Sequence, residues 1–124
     1  MTARQKCISL AKEIAKIRDG FVCQKCGKKS GEVQIQGSHI LPVSAGGFLA
    51  CDPENVIALC AGDHMWKGDS WHESPLENSE WFNKKFPGRY EMLKSKQTKT
   101  PIKKWQWEER LTELKQELKT LKST

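Results

Sequence analysis

Three polar residues sit at defined intervals in the middle of the chain: His39, Asn55 and His64, at steps of 16 and 9 positions. Histidine changes charge near neutral pH, and its neutral ring can take up a proton or bind a metal. Asparagine supplies both donors and an acceptor, which suits it to holding a loop. The same stretch, GSHILPVSAGGFLACDPENVIALCAGDHMWK from Gly37 to Lys67, carries Cys60, which looks back to Cys23-Gln-Lys-Cys26-Gly27. Two thiolates two residues apart, with glycine just after, can grip one tetrahedral ion in a tight turn, which is a zinc-knuckle signal. The matching half is Leu59-Cys60-Ala-Gly-Asp63, with Asp63 where a fourth cysteine is expected. A carboxylate oxygen ligates zinc, so Cys23, Cys26, Cys60 and Asp63 form one closed set. Competing readings take the fourth ligand from elsewhere, such as Cys51, or have packing alone hold a site without metal.

These residues need elements to position them. Val33 to Val43 alternates in part, Val33 and Ile35 against Gln34 and Gln36, so a strand carries His39 near its end. Ser44-Ala-Gly-Gly47 reads as a turn or loop. Asp52-Pro53-Glu54-Asn55 reads as a second turn, which Asn55 either merely caps or uses to orient the histidine. Val56 to Leu59 is a short buried run, and Ala61 to Lys67 a short helix stopped at Gly68. Upstream, Cys7, Leu10, Ala11, Ile14 and Ile17 recur at helical spacing, predicting an amphipathic helix from Ala3 to Arg18 closed by Asp19-Gly20, with Cys7 on its buried face.

Downstream, Ser74-Pro75-Leu76-Glu77 combines a serine cap, proline at the first helical position and glutamate three after the cap. This predicts a helix from Pro75 to about Phe86, with Trp81, Phe82 and Phe86 on its apolar side and Pro87-Gly88 at its end. Residues 89–95 add a turn or two. Thr100-Pro101 repeats the start signal, and Trp107, Leu111, Leu114, Leu118 and Leu121 follow in a heptad-like stripe. The stripe is too short to specify a coiled coil, so the protein is either a monomer with this helix packed on its own domain or a homodimer through it.

At 124 residues and 14.2 kDa, with a mean hydropathy of −0.66, the chain suits one domain whose modest core benefits from a metal staple. No apolar run is long enough to span a bilayer and no basic start precedes one, so the expectation is a cytoplasmic protein with no membrane partner. Five cysteines, an odd number, favour metal over a disulfide framework. The net charge of +6 is uneven: residues 1–83 sum to −1, residues 84–105 to +7 and residues 106–124 to 0. Such a patch, with Trp105 and Trp107 at its end, suits a polyanion such as DNA; the bland reading is a solvated lysine-rich linker.

The motifs CQKCG, SHILPVSAGG, PENVIALC and DHMWK, in that order and spacing, resemble the ββα-metal core of HNH endonucleases over roughly residues 21–72. The longer pattern through WHESPLE and WF is similar to small HNH proteins of phages and prophages. The resemblance implies an α+β fold: an N-terminal helix (1–20), an HNH core with a zinc knuckle (21–72), a helical extension (73–95), and a basic linker with a C-terminal helix (96–124). It also implies a phage or prophage gene acting in a bacterial cytoplasm. By resemblance His39 is the general base, His64 a metal ligand, and Asn55 the residue that holds the loop and orients the His39 ring.

Ser38 departs from the family, which commonly places aspartate or histidine before the base as a metal ligand; a neutral hydroxyl is a weak replacement. His72 is the candidate second protein ligand, or else a hydrogen-bond partner that fixes the next helix, with Asp69 and Glu73 as weaker candidates. So few protein ligands suit magnesium, manganese or nickel, with zinc as a further option. Candidate phosphate contacts are Lys67, Lys84, Lys85, Arg89, Lys103 and Lys104.

Phosphodiester hydrolysis needs a water deprotonated near neutral pH, a cation to absorb transition-state charge, and help for the departing 3′ oxygen; histidine and one divalent ion supply these. The leading expectation is a metal-dependent DNA endonuclease of weak or no sequence specificity that nicks or cuts double-stranded DNA. The alternative, favoured by Ser38 and by Asp63 in place of cysteine, is a zinc-stapled nucleic-acid-binding module without cleavage activity. A lone histidine near a strand end is more often structural, and it is the matched spacing of three residues that tips the reading toward chemistry.

Overall fold

The computed structural model describes residues 1–62 and 75–123. Helix α1 runs from Ala3 to Arg18. Thr2 caps it: its hydroxyl accepts from Gln5 N at 3.2 Å, and the Gln5 side chain accepts from Thr2 N at 2.8 Å. Cys7, Ala11, Ile14 and Ala15 form its buried face. The C-terminal end of α1 is fastened by a pair of charges. Arg18 binds Asp19 at 2.9 Å and donates to the carbonyls of Pro53 and Val56 at 2.7 and 2.6 Å, while Asp19 accepts from Ala58 N at 2.9 Å. Arg18 and Asp19 thereby anchor α1 to the strand that follows Asn55.

Strand β1 (Ile35–His39) pairs antiparallel with β2 (Val56–Cys60), Ile35 opposite Cys60 and His39 opposite Val56. The strand expected within Val33–Val43 is shorter at both ends, and His39 is its last residue. All five residues of β2 are buried. Its alternation has two apolar destinations: Val56 joins α1 in one core, and Ile57 and Leu59 join a second core on the other face. Helix α1 lies directly on β1 at Gly37, where an added Cβ would come within 2.8 Å of Lys12 Cβ. Between the strands the chain makes three short 3-10 turns, the last (Pro53–Asn55) capped by the Asp52 side chain. After β2, residues 61 and 62 are already helical.

Helix α2 (Pro75–Lys85) and helix α3 (Arg89–Ser95) bring Phe82 and Leu93 into the second core, with Trp81, Phe86 and Tyr90 packed around them. Helix α4 (Lys104–Lys122) packs its stripe on α1, with Leu114 fully buried and Trp107, Leu111, Leu118 and Leu121 flanking it. Helix α4 starts later than the Thr100-Pro101 signal implied. Lys103 is the extended cap residue, and its N–H is taken by the Gln106 side chain at 2.7 Å. The architecture is α+β, with helices around one two-stranded sheet among the described residues.

Candidate active site and thiol cluster

The knuckle is a tight turn after Val22. Gly27 N donates to the Cys23 carbonyl at 2.9 Å, Cys23 N to the Lys28 carbonyl at 2.8 Å, and Gly27 takes a φ of +79°, a conformation that favours glycine. This turn places Cys23 and Cys26 beside Cys60, the last residue of β2, so that the three sulfurs lie within 4.8 Å of one another. Cys26 Sγ and Cys60 Sγ are 3.7 Å apart. Thiolates bound at about 2.3 Å around a tetrahedral ion stand roughly 3.8 Å from each other, so these donors fit zinc in both softness and spacing. Asp63, the expected fourth ligand, lies outside the described residues. Cys51, the competing fourth ligand, is ruled out: it sits with Cys7 in the α1–α4 core. Helix α2 braces the knuckle, with Lys25 Nζ donating to Asn78 Oδ1 at 2.8 Å and Lys85 Nζ to the Gln24 carbonyl.

At the other end of the hairpin, the His39 ring presents Nε2 to the Ala50 carbonyl at 2.7 Å. A carbonyl only accepts, so Nε2 carries the proton and Nδ1 keeps its lone pair in the neutral ring. Burial holds the His39 pKa below its ordinary 6.5; the Ala50 bond opposes this and Lys12 adds to it. The ring is therefore neutral at pH 7.

Asn55 is completely buried. Its Oδ1 accepts from Leu41 N at 2.8 Å, and its Nδ2 donates to the carbonyls of Leu41 and Leu49 at 3.0 and 2.8 Å. It ties together both ends of the loop between the strands, and Leu49 immediately precedes the carbonyl that holds the histidine. Contact between Asn55 and the ring thus runs through the loop backbone. Ser38, one residue before the base, is 1% exposed, and among the described residues its Oγ has no hydrogen-bond partner. His64, His72, Lys67, Asp69 and Glu73 lie outside the described residues.

The expected phosphate contacts divide. Lys84, Lys103 and Lys104 are exposed. Arg89 is a correction: its guanidinium donates to the Glu54 and Val56 carbonyls at 2.8 and 3.2 Å and lies over the rings of Phe82 and Phe86, so its donors serve the fold. Lys85 is exposed, yet its ammonium already binds the knuckle backbone and lies 5.8 Å from the Trp81 ring centroid. Sequence reasoning missed the Ala50 carbonyl, which no residue type announces, and the Arg18–Asp19 clamp, whose adjacent opposite charges look like any helix end.

An α+β core in which a hairpin displays a neutral histidine over an asparagine-braced loop and closes on a three-thiol knuckle is consistent with a ββα-metal nuclease. Residues 23–70 match the family model described as HNH endonuclease, so the resemblance carried by the motifs holds for that segment. This is a family of nucleases that use a divalent metal. No match to the chain is found among curated proteins or among solved structures.

Proposed function

We propose that the protein is a metal-dependent endonuclease that hydrolyses phosphodiester bonds in double-stranded DNA with weak or no sequence specificity. The observation that supports this most is His39, held by Nε2 on the Ala50 carbonyl and kept neutral by burial. In this reading Nδ1 takes a proton from the water that attacks phosphorus, a step worth about 10²- to 10⁴-fold for a positioned base. Asn55 is a positioning residue acting through the loop it closes. Ser38, His64 and His72 are the residues proposed to hold a divalent ion such as magnesium, manganese or nickel. When bound, such an ion offsets the charge that builds on phosphorus and on the leaving 3′ oxygen. Cys23, Cys26 and Cys60, with Asp63, hold structural zinc.

Lys67, Lys84, Lys103 and Lys104 contact backbone phosphates, so affinity falls by about 0.9 logarithmic units per tenfold rise in salt for each phosphate neutralised. The α4 stripe is spent on α1, which supports a monomer. The motif pattern supports a phage or prophage gene whose product works in the bacterial cytoplasm.

The test is nicking of supercoiled plasmid after chelator treatment and addition of magnesium, manganese or nickel, beside His39→Ala. Metal-dependent nicking is expected, reduced by about 10²- to 10⁴-fold in the variant with its zinc content unchanged. Lowering the pH through the depressed histidine pKa, below 6.5, protonates Nδ1, so the rate should fall by about tenfold per pH unit beyond it. If the plasmid stays intact with every metal, or the variant cuts equally well, the zinc-stapled nucleic-acid-binding module becomes the better account.

A further inference from the structure

A groove of about 850 Å³ lies between the 43–47 turn and a strap formed by residues 97–102. Neither the base nor the knuckle uses it. Among the described residues that line it, the charged ones are Arg4 and Lys99, both cationic. One wall is Trp107, with the Arg4 guanidinium 5.8 Å from its ring centroid. Ala50, whose carbonyl holds the His39 ring, also lines it, so the groove abuts the loop that carries the base.

The strap is seated closely against the turn, since a Cβ added at Gly46 would stand 1.7 Å from the Thr98 carbonyl oxygen. From the groove the strap runs into Lys103, Lys104 and Trp105, all exposed, Trp105 by 58%.

A volume of this size is that of a small-ligand site, of order 300–1,000 Å³, which fits a few linked nucleotides of one strand. The cationic lining complements phosphates, and an exposed indole beside two lysines offers a stacking face to an unpaired base. We propose that this groove, together with Trp105 a few residues beyond the strap, binds a single-stranded segment of DNA next to the cleavage site. The substrate would then be DNA in which an unpaired strand adjoins a duplex, as at a fork or a gap. Calling that strand part of the substrate rests on the nuclease reading; its binding does not.

The test uses the full chain in chelator at one fixed salt concentration, with fluorescence anisotropy of a dye-labelled oligothymidylate and of a hairpin duplex of equal length. The wild-type protein is expected to bind the single strand. Arg4→Glu combined with Lys99→Glu should weaken that binding by about tenfold or more while changing duplex affinity by less than about threefold. Trp105→Ala, a substitution at an exposed position, should weaken it by about fivefold. If wild type does not bind the oligothymidylate, if charge reversal lowers both affinities alike or neither, or if Trp105→Ala has no effect, the proposal is overturned. No metal or cleavage enters this measurement, so its failure is distinguishable from a failure of plasmid nicking.

Discussion

The chain keeps its cysteines in two environments. Cys23, Cys26 and Cys60 converge at the base of the hairpin, their sulfurs facing one another within 4.8 Å. Cys7 and Cys51 lie between α1 and the loop, completely buried among aliphatic side chains. Burial pushes the Cys51 thiol up to about 12, with Cys7 adding to the effect against the pull of Arg110. Cys7 is raised for the same first reason. A thiol stabilised as neutral packs as a small apolar group and is a poor metal ligand, whereas thiols grouped at a turn are poised to deprotonate around a cation. The same residue type therefore forms a candidate metal staple at one core and fills the other.

The largest expected effect tests the staple. Structural zinc contributes on the order of 10 kcal/mol in small domains. Cys60→Ser should abolish stoichiometric zinc, read by a metal indicator, and cooperative melting, read by circular dichroism; retention of both would erase the distinction between the two sets. Next comes the apolar core. Leu114→Ala, at a fully buried position of α4, should lower stability by about 2–5 kcal/mol in urea unfolding while leaving zinc bound. Smallest is a pH effect. Cys51 loses its proton near 9.0 when unfolded and near 12 when folded, so the unfolded state binds fewer protons in between. Its contribution is complete below pH 9 and is lost as pH rises toward 12. The melting temperature should drop between pH 8 and 10.5, and the drop should be shallower in Cys51→Ala.

Local signals made much of this legible. The apolar spacing and the Asp19-Gly20 stop gave α1 its observed bounds, and the Pro53 turn followed by an apolar run located Asn55 and β2. The three-thiol knuckle followed from ligand chemistry. What escaped was set by partners distant in sequence. Arg89 looked like one more cation in a basic patch, because nothing nearby reveals that the Glu54 and Val56 carbonyls await it. Cys51 reads as a spare zinc ligand because nothing near it in the sequence reveals that α1 packs over it. The start of α4 at Lys104 goes with a strap that lies against Gly46 and in which residues 97–103 are neither helix nor strand.

The packing of α1 on α4 joins Cys7 Sγ to the Trp107 carbonyl, 100 positions apart in sequence. On a ribosome adding about 5–20 residues per second, the part of the α1 face that α4 covers therefore waits roughly 5–20 s for its cover. In that interval a chaperone can reach it, and so can another nascent chain. The hairpin and its knuckle are closed by contacts of shorter range, so their three thiols can come together while α4 is still being made. The half that carries the thiol cluster thus offers a surface onto which the C-terminal helix is laid.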